Sequence, residues 1–335
     1  MTDNSRPVGV FGVGNALVDI LAFVEDPFIT EQKLDRGVMT LVDAEVQGRI
    51  LSQLDRASLK LRSGGSAANT IIAIAQSGGS AFYTGKVSDD ENGVFYRQDM
   101  QDVGVGFDVP PASATDGPTG TCVVLTTPDA ERTMCTNLSI SGTLAPSDIN
   151  VEQLKQCQYS YVEGYLWTAP DPQAASIETM EQSKRHGVKV SFTLSDPFLL
   201  NSFRDDFQRV VTDYCDLLFC NADEVRQFLQ IDSLDECAQK LGEMVDLAFI
   251  TDSDNGCLVV NQKTVTAVEG FPVKPLDTVG AGDAFAGGVL YGLTNGYSTV
   301  QAARWGNYLG SAIVQIQGPR LEKAPVADMA RVMGS

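Results

Sequence analysis

Histidine is nearly missing from this chain of 335 residues: there is one, His186. Any imidazole-activated nucleophile or histidine-ligated metal would have to use it. The surrounding "SKRHGVKV" reads instead as a helix C-terminus, where the helix dipole favours a cation. The seven cysteines, Cys122, Cys135, Cys157, Cys215, Cys220, Cys237 and Cys257, are odd in number and never stand in Cys-x-x-Cys spacing. That points to reduced thiols rather than a disulfide framework or a zinc site. No apolar run reaches the roughly 18 residues needed to cross a bilayer. The opening MTDNSRPVGVFGVGN lacks the basic region and apolar run of a signal peptide, so the expected location is the cytoplasm. Positive charge is also short: 24 Lys and Arg stand against 43 Asp and Glu, a net charge of -19. A surface that acidic repels nucleic acid and anionic membranes, and neither is an expected partner.

What remains is an ordinary globular composition, 43% apolar and 20% charged, long enough for one large domain with a smaller appendage. Strand-like and helix-like stretches alternate. "VGVFGVG" (8–14), "SAFYTGKV", "YSYVEGY", "GVKVSFTLS", "CDLLFCN" and "DLAFIT" read as strands. "SAANTIIAIAQSG", "ENGVFYRQDMQDVG", "DPQAASIETMEQSKR" and "ADEVRQFLQ" read as helices. Repeated strand–helix units predict a mostly parallel sheet covered on both faces, a three-layer α/β/α domain. Two regions break the rhythm with short β-like runs, residues 16–43 and 106–140. They are expected to pair into a small β-sheet lid, leaving 1–15, 44–105 and 141–335 for the large domain.

Two glycine stretches fail their usual tests. "GVGNAL" (12–17) lacks the third glycine of a dinucleotide fingerprint, which leaves a dehydrogenase remote, and "GGSAFYTGKV" has the wrong spacing for a P-loop. "DTVGAGDAFAGG" (277–288) is different. Gly280, Ala281 and Gly282 let successive N–H groups gather at one spot, and the helix-like run after them adds its positive N-terminal end. Asp283 falls in the first helical turn beside that anion site. It could serve as a general base or merely as an acid stabilising the dipole. "GNALVDI" puts Asn15 and Asp19 after the first strand, where open α/β sheets bind ligands. "LRSGGSAANT" sets Gly64 and Gly65 before a helix carrying Ser66 and Asn69. "NADE" pairs Asn221 with Glu224 as a helix cap and capping-box acid, or as groups near metal-bound phosphates.

Together these motifs resemble the ribokinase-like (PfkB) carbohydrate and nucleoside kinases, nearly end to end. "DTVGAGDAFAGG" is similar to that family's C-terminal signature, "GGSAANT" to its N-terminal signature and "NADE" to its Asn-x-x-Glu motif, in the same order. "GNALVDI", "PTGTC" (118–122), "EGYLW" (163–167) and "NLS" after Arg132 resemble the adenosine kinase branch.

The resemblance implies an ATP-dependent kinase acting with Mg²⁺, and possible use of K⁺ as well. Asp283 would deprotonate the acceptor hydroxyl, and Gly280, Ala281 and Gly282 would form the anion hole. Asn15, Asp19, Gly64, Gly65, Ser66 and Asn69 would hold the acceptor, with Tyr165 nearby and Arg132 approaching from the lid. Asn221, Glu224, Thr251, Ser253, Gly256 and Asn307 would line the ATP site. Glu224 would meet Mg²⁺ through water, and Asp277 a monovalent cation. Met39, Tyr165 and Trp167 are candidates to stack on a base. Ser253 departs from the family's pattern, which often has glycine there. The expected acceptor is a nucleoside, first the 5′-hydroxyl of adenosine. Ribose, fructose or 2-keto-3-deoxygluconate are the alternatives, and a nucleoside binder without activity is a further one. Monomer and homodimer both remain open.

Overall fold

The computed structural model describes residues 6–129, 131–322 and 325–334; residues 1–5 of the expected large domain lie outside these. Among the described residues the strands are β1 (Val8–Val13), β2 (Leu17–Phe23), β3 (Met39–Leu41), β4 (Lys60–Gly64), β5 (Ala81–Thr84), β6 (Gly120–Thr126), β7 (Arg132–Asn137), β8 (Cys157–Glu163), β9 (Lys189–Thr193), β10 (Leu217–Asn221), β11 (Leu247–Thr251), β12 (Cys257–Asn261) and β13 (Thr264–Val268). Eight form one sheet in the order β13-β12-β11-β10-β9-β8-β1-β5. From β5 to β11 every pairing is parallel, and β12 and β13 close the edge antiparallel.

Alternation along β1 shows the layering. Phe11 and Val13 join one buried cluster, with the helices Pro170–His186 and Pro197–Asp213. Val10 faces the opposite cluster, with the helices Ser66–Gln76 and Ala281–Thr294. Strands buried on both faces read as near-continuous apolar runs, as parallel sheets should. Helix Ala281–Thr294 keeps its glycines for close approach. A Cβ at Gly287 would stand 2.6 Å from the Thr70 carbonyl, and one at Gly288 would stand 2.8 Å from the Gly306 Cα. The helix therefore lies tight against Ser66–Gln76, which fixes the distance between the two signature motifs.

The other five strands form the small sheet, ordered β3-β7-β6-β2-β4. It departs from expectation at both ends. Strand β4, expected in the large domain, pairs antiparallel with β2. Residues 106–112, expected in the small sheet, instead bridge to the edge of the large one, with Gly106 beside Phe82 and Ala112 beside Ser88. The small sheet carries an apolar cluster on each face. Ile20, Val123, Leu125 and Cys135 pack under Val46 and Leu51 of helix Ala44–Ser52, while Leu17, Leu21, Cys122 and Val124 gather on the other side with Val279. Helix Ala44–Ser52 therefore goes with the small sheet rather than with the large domain.

Candidate active site

A cleft of about 820 Å³ opens between the second face of the small sheet and the C-terminal ends of the parallel strands. That is the position at which open α/β sheets take their ligands. Its floor is built by the helix Ala281–Thr294. Gly280 stands before the first turn at φ +76°, and a Cβ there would meet Pro319 at under 3 Å. Only glycine fits that turn. No side chain caps this helix, and Gly280, Ala281 and Gly282 line the cleft; an uncapped helix N-terminus attracts an anion. Gly282 has open space where a Cβ would be.

Asp283 sits in that first turn. Ser66 Oγ donates to its Oδ1 at 2.7 Å and Asn69 Nδ2 to its Oδ2 at 3.0 Å. Burial raises its pKa above the ordinary value, opposed by those two hydrogen bonds and by Arg132. A half-buried carboxylate held in one orientation with a raised pKa is suited to accept a proton. The Asn69 Oδ1 atom is buried without a partner among the described residues.

Asn15 lies across the cleft. Its backbone N–H and its Nδ2 both donate to Glu163 Oε1, at 2.7 and 3.1 Å, and its Oδ1 accepts from Ser141 Oγ at 3.2 Å. Ala67 N–H donates to Glu163 Oε2 at 2.7 Å. Glu163, at the end of β8, thus ties the first strand's exit to the start of helix Ser66–Gln76. Burial pushes its pKa up to about 7, against those three donors. Sequence reasoning missed it: a lone Glu at a strand end carries no spacing signal, although "EGYLW" contains it. Asp19 is buried beside Gly64, where a Cβ would stand about 2 Å from the Asp19 carboxylate. Burial, then the charge of Asp283, raises Asp19 to about 8, with Arg320 opposing.

Gly65 joins β4 to the helix at φ +99°. Arg132, at the start of β7, reaches down from the small sheet and donates to the Thr278 carbonyl at 2.8 Å. It touches the loop before Gly280. Tyr165 borders the cleft, and its hydroxyl is spent on the Ser195 carbonyl and Asp196. Met39 also borders it. Trp167 does not stack there. It is 3% exposed and packs edge-on to Phe192 and Phe207 in the core.

The other end of the cleft brings together Asn221, Glu224, Thr251, Ser253, Gly256 and Asn307. Asn221 and Glu224 form a reciprocal capping box, and Asn221 Nδ2 also donates to Glu224 Oε1 at 2.8 Å. Burial raises Glu224 to about 7. Ser253 holds φ +50°, a left-handed backbone that explains why glycine would be at home there. Asn307 Nδ2 donates to the carbonyls of Val268 and Glu269. Asp277 is not in the cleft wall. It lies fully buried behind it, accepting N–H bonds from Val279 and Gly318 at 2.9 Å each.

The chain is similar to known proteins over most of its length. The description "pfkB family carbohydrate kinase" matches residues 44–325. Adenosine kinase 2 of Arabidopsis thaliana is 27% identical, over 97% of this chain and 99% of its own. The crystal structure of adenosine kinase from Sinorhizobium meliloti superposes with a TM-score of 0.92 at 31% identity, covering 97% of this chain and 99% of that one. A probable sugar kinase protein from Rhizobium etli CFN 42 does so with the same TM-score and identity, covering 97% and 98%.

Proposed function

Because the chain belongs to the pfkB family of carbohydrate kinases, we propose that it moves the γ-phosphoryl group of ATP to a nucleoside, with the 5′-hydroxyl of adenosine as acceptor. The acceptor oxygen forms a bond to the γ-phosphorus, the bond to the β-phosphate oxygen breaks, and ADP leaves. Asp283 takes the hydroxyl proton, and the N–H groups at Gly280–Gly282 stabilise charge on the phosphoryl group in flight. Asn15, Asp19 and Asn69 orient the acceptor, and Arg132 adds positive charge above the glycine loop.

One observation favours a nucleoside over a sugar acid. The roof of the cleft is apolar, built by Leu17, Cys122, Val124, Met134 and Leu138, and Arg132 is the one cationic side chain among the described residues of its wall. Such a roof suits the face of a base, and a carboxylate would want a cationic clamp. The names of the Arabidopsis and Sinorhizobium relatives support the same choice. The Rhizobium protein's description as a probable sugar kinase keeps a free sugar as the second reading.

Kinases of this family use ATP, generally with Mg²⁺. Among the described residues no group of three or more His, Cys, Asp or Glu gathers to hold a metal ion. Mg²⁺ arrives on phosphates and keeps several waters. The Asn221 N–H and Nδ2 hold the two Glu224 oxygens in one orientation, and the contact we propose from Glu224 to Mg²⁺ runs through water. Asp277 has lone pairs left over after its two N–H bonds and forms no ion pair among the described residues, so its donor set also fits a monovalent cation.

The test is ADP release with ATP and Mg²⁺ against adenosine, inosine, guanosine, ribose, fructose and 2-keto-3-deoxygluconate. Adenosine is expected to give the highest kcat/KM. A free sugar in first place would discard the nucleoside reading while keeping Asp283 in its role.

A further inference from the structure

Arg320 is nine-tenths buried against Asp99. Its Nη2 reaches both Asp99 oxygens, at 2.7 and 2.6 Å, and its Nη1 donates to Ser63 Oγ at 3.0 Å. Ser63 in turn donates its backbone N–H and its hydroxyl to Asp99 Oδ2, at 3.0 and 2.7 Å. The Tyr96 hydroxyl donates to the Gly64 carbonyl at 3.0 Å. Helix Glu91–Asp102 and Arg320 thus grip the last residues of β4 where the small sheet runs into Gly65, Ser66 and the helix that orients Asp283.

The residues just before Arg320 grip the other side. Gly318 N–H holds Asp277 Oδ2, and Pro319 lies so close under Gly280 that a Cβ there would be 2.8 Å from the Pro319 Cα. Three successive residues therefore touch the start of the glycine loop, its turn and the end of β4. Arg320 also borders a small pocket with Asn69, the residue that holds Asp283 Oδ2. The rigid planar guanidinium holds Asp99 through Nη2 and Ser63 through Nη1, so a shift at one end moves the other. Nothing in the proton-transfer step uses this cluster.

We infer that the Ser63–Asp99–Arg320 cluster couples the two ends of the cleft, with Arg320 as a positioning residue. Nucleotide seated on the glycine loop orders the end of β4, and acceptor seated at the end of β4 orders the glycine loop in return, as linkage requires. This rests on the reading above that phosphates sit on Gly280–Gly282.

Amide hydrogen exchange tests it without needing to know the acceptor. In the wild-type protein, AMP-PNP with Mg²⁺ should slow exchange about tenfold both at 277–283 and at 60–66, within the usual span of coupling between sites. In Arg320→Ala, and in the milder Asp99→Asn, slowing at 277–283 should persist while that at 60–66 falls to about twofold or less. A purely structural role would raise exchange in the free variant and leave its response to nucleotide intact. Wild-type slowing at 60–66 retained by both variants overturns the proposal, as does a wild-type response confined to 277–283. No response at 277–283 in the wild type would instead overturn the placing of the nucleotide, and the coupling with it.

Discussion

Asp283→Asn is expected to bind acceptor about as tightly as the wild type and to lose about 10²–10⁴-fold in kcat, the usual worth of a general base. The substitution fits its surroundings. An amide oxygen can face Asn69 Nδ2, and an amide nitrogen can donate to Ser66, whose hydroxyl turns to accept. Stability should hold or rise, because the variant removes a carboxylate whose charge is disfavoured by burial. Calorimetric titration with adenosine and steady-state ADP release separate the two effects. Turnover within about tenfold of wild type would remove Asp283 from the role of base. The pH profile carries a second sign. A base must be deprotonated to act, and Asp283's pKa is raised. The acid limb of kcat should therefore lie above the range of an exposed aspartate, with activity rising as pH rises through it.

Gly65→Ala should be the most damaging small change. The residue holds φ +99°, and an added Cβ would stand 1.9 Å from the Asn15 carbonyl oxygen. Asn15 cannot step aside, because Glu163 holds its backbone N–H and side chain together. Left-handed strain and overpacking against backbone each cost about 1–3 kcal/mol. A loss of about 3 kcal/mol in urea unfolding is expected, with a raised KM for acceptor. Gly78→Ala is the control. Gly78 has a similar φ of +91° but nothing within 4 Å of its would-be Cβ, so it isolates strain from collision. Equal losses in the two variants would show that the Asn15 contact contributes nothing.

The large sheet was legible because its strands are buried on both faces and bounded by clear helices. The glycine motifs were legible because turn, anion site and carboxylate stand within a few residues of one another. What escaped reading was held together over distance. β4 reads as polar, with Lys60 and Arg62, because it is an edge strand, so its membership in the small sheet carried no hydrophobic pattern. Trp167 stood in a motif shared with nucleoside kinases, yet a Trp packs as readily into a core, and only its neighbours Phe192 and Phe207 decide the matter. Glu163 and Arg320 act on partners far along the chain, and no local spacing announces either.

The buried carboxylates give the cleft a proton reservoir. Asp19, raised to about 8, and Glu163 and Glu224, each raised to about 7, are partly protonated near neutral pH. A neutral acceptor whose hydroxyls donate to Asp19 favours its charged form and lowers its pKa. Binding then expels protons into solution. The heat of adenosine binding near pH 7 to 8 should therefore change with the ionisation enthalpy of the buffer, and the dependence should fade well above pH 8, where Asp19 is already charged. Recognition of an uncharged ligand would in this way become an acid-releasing event.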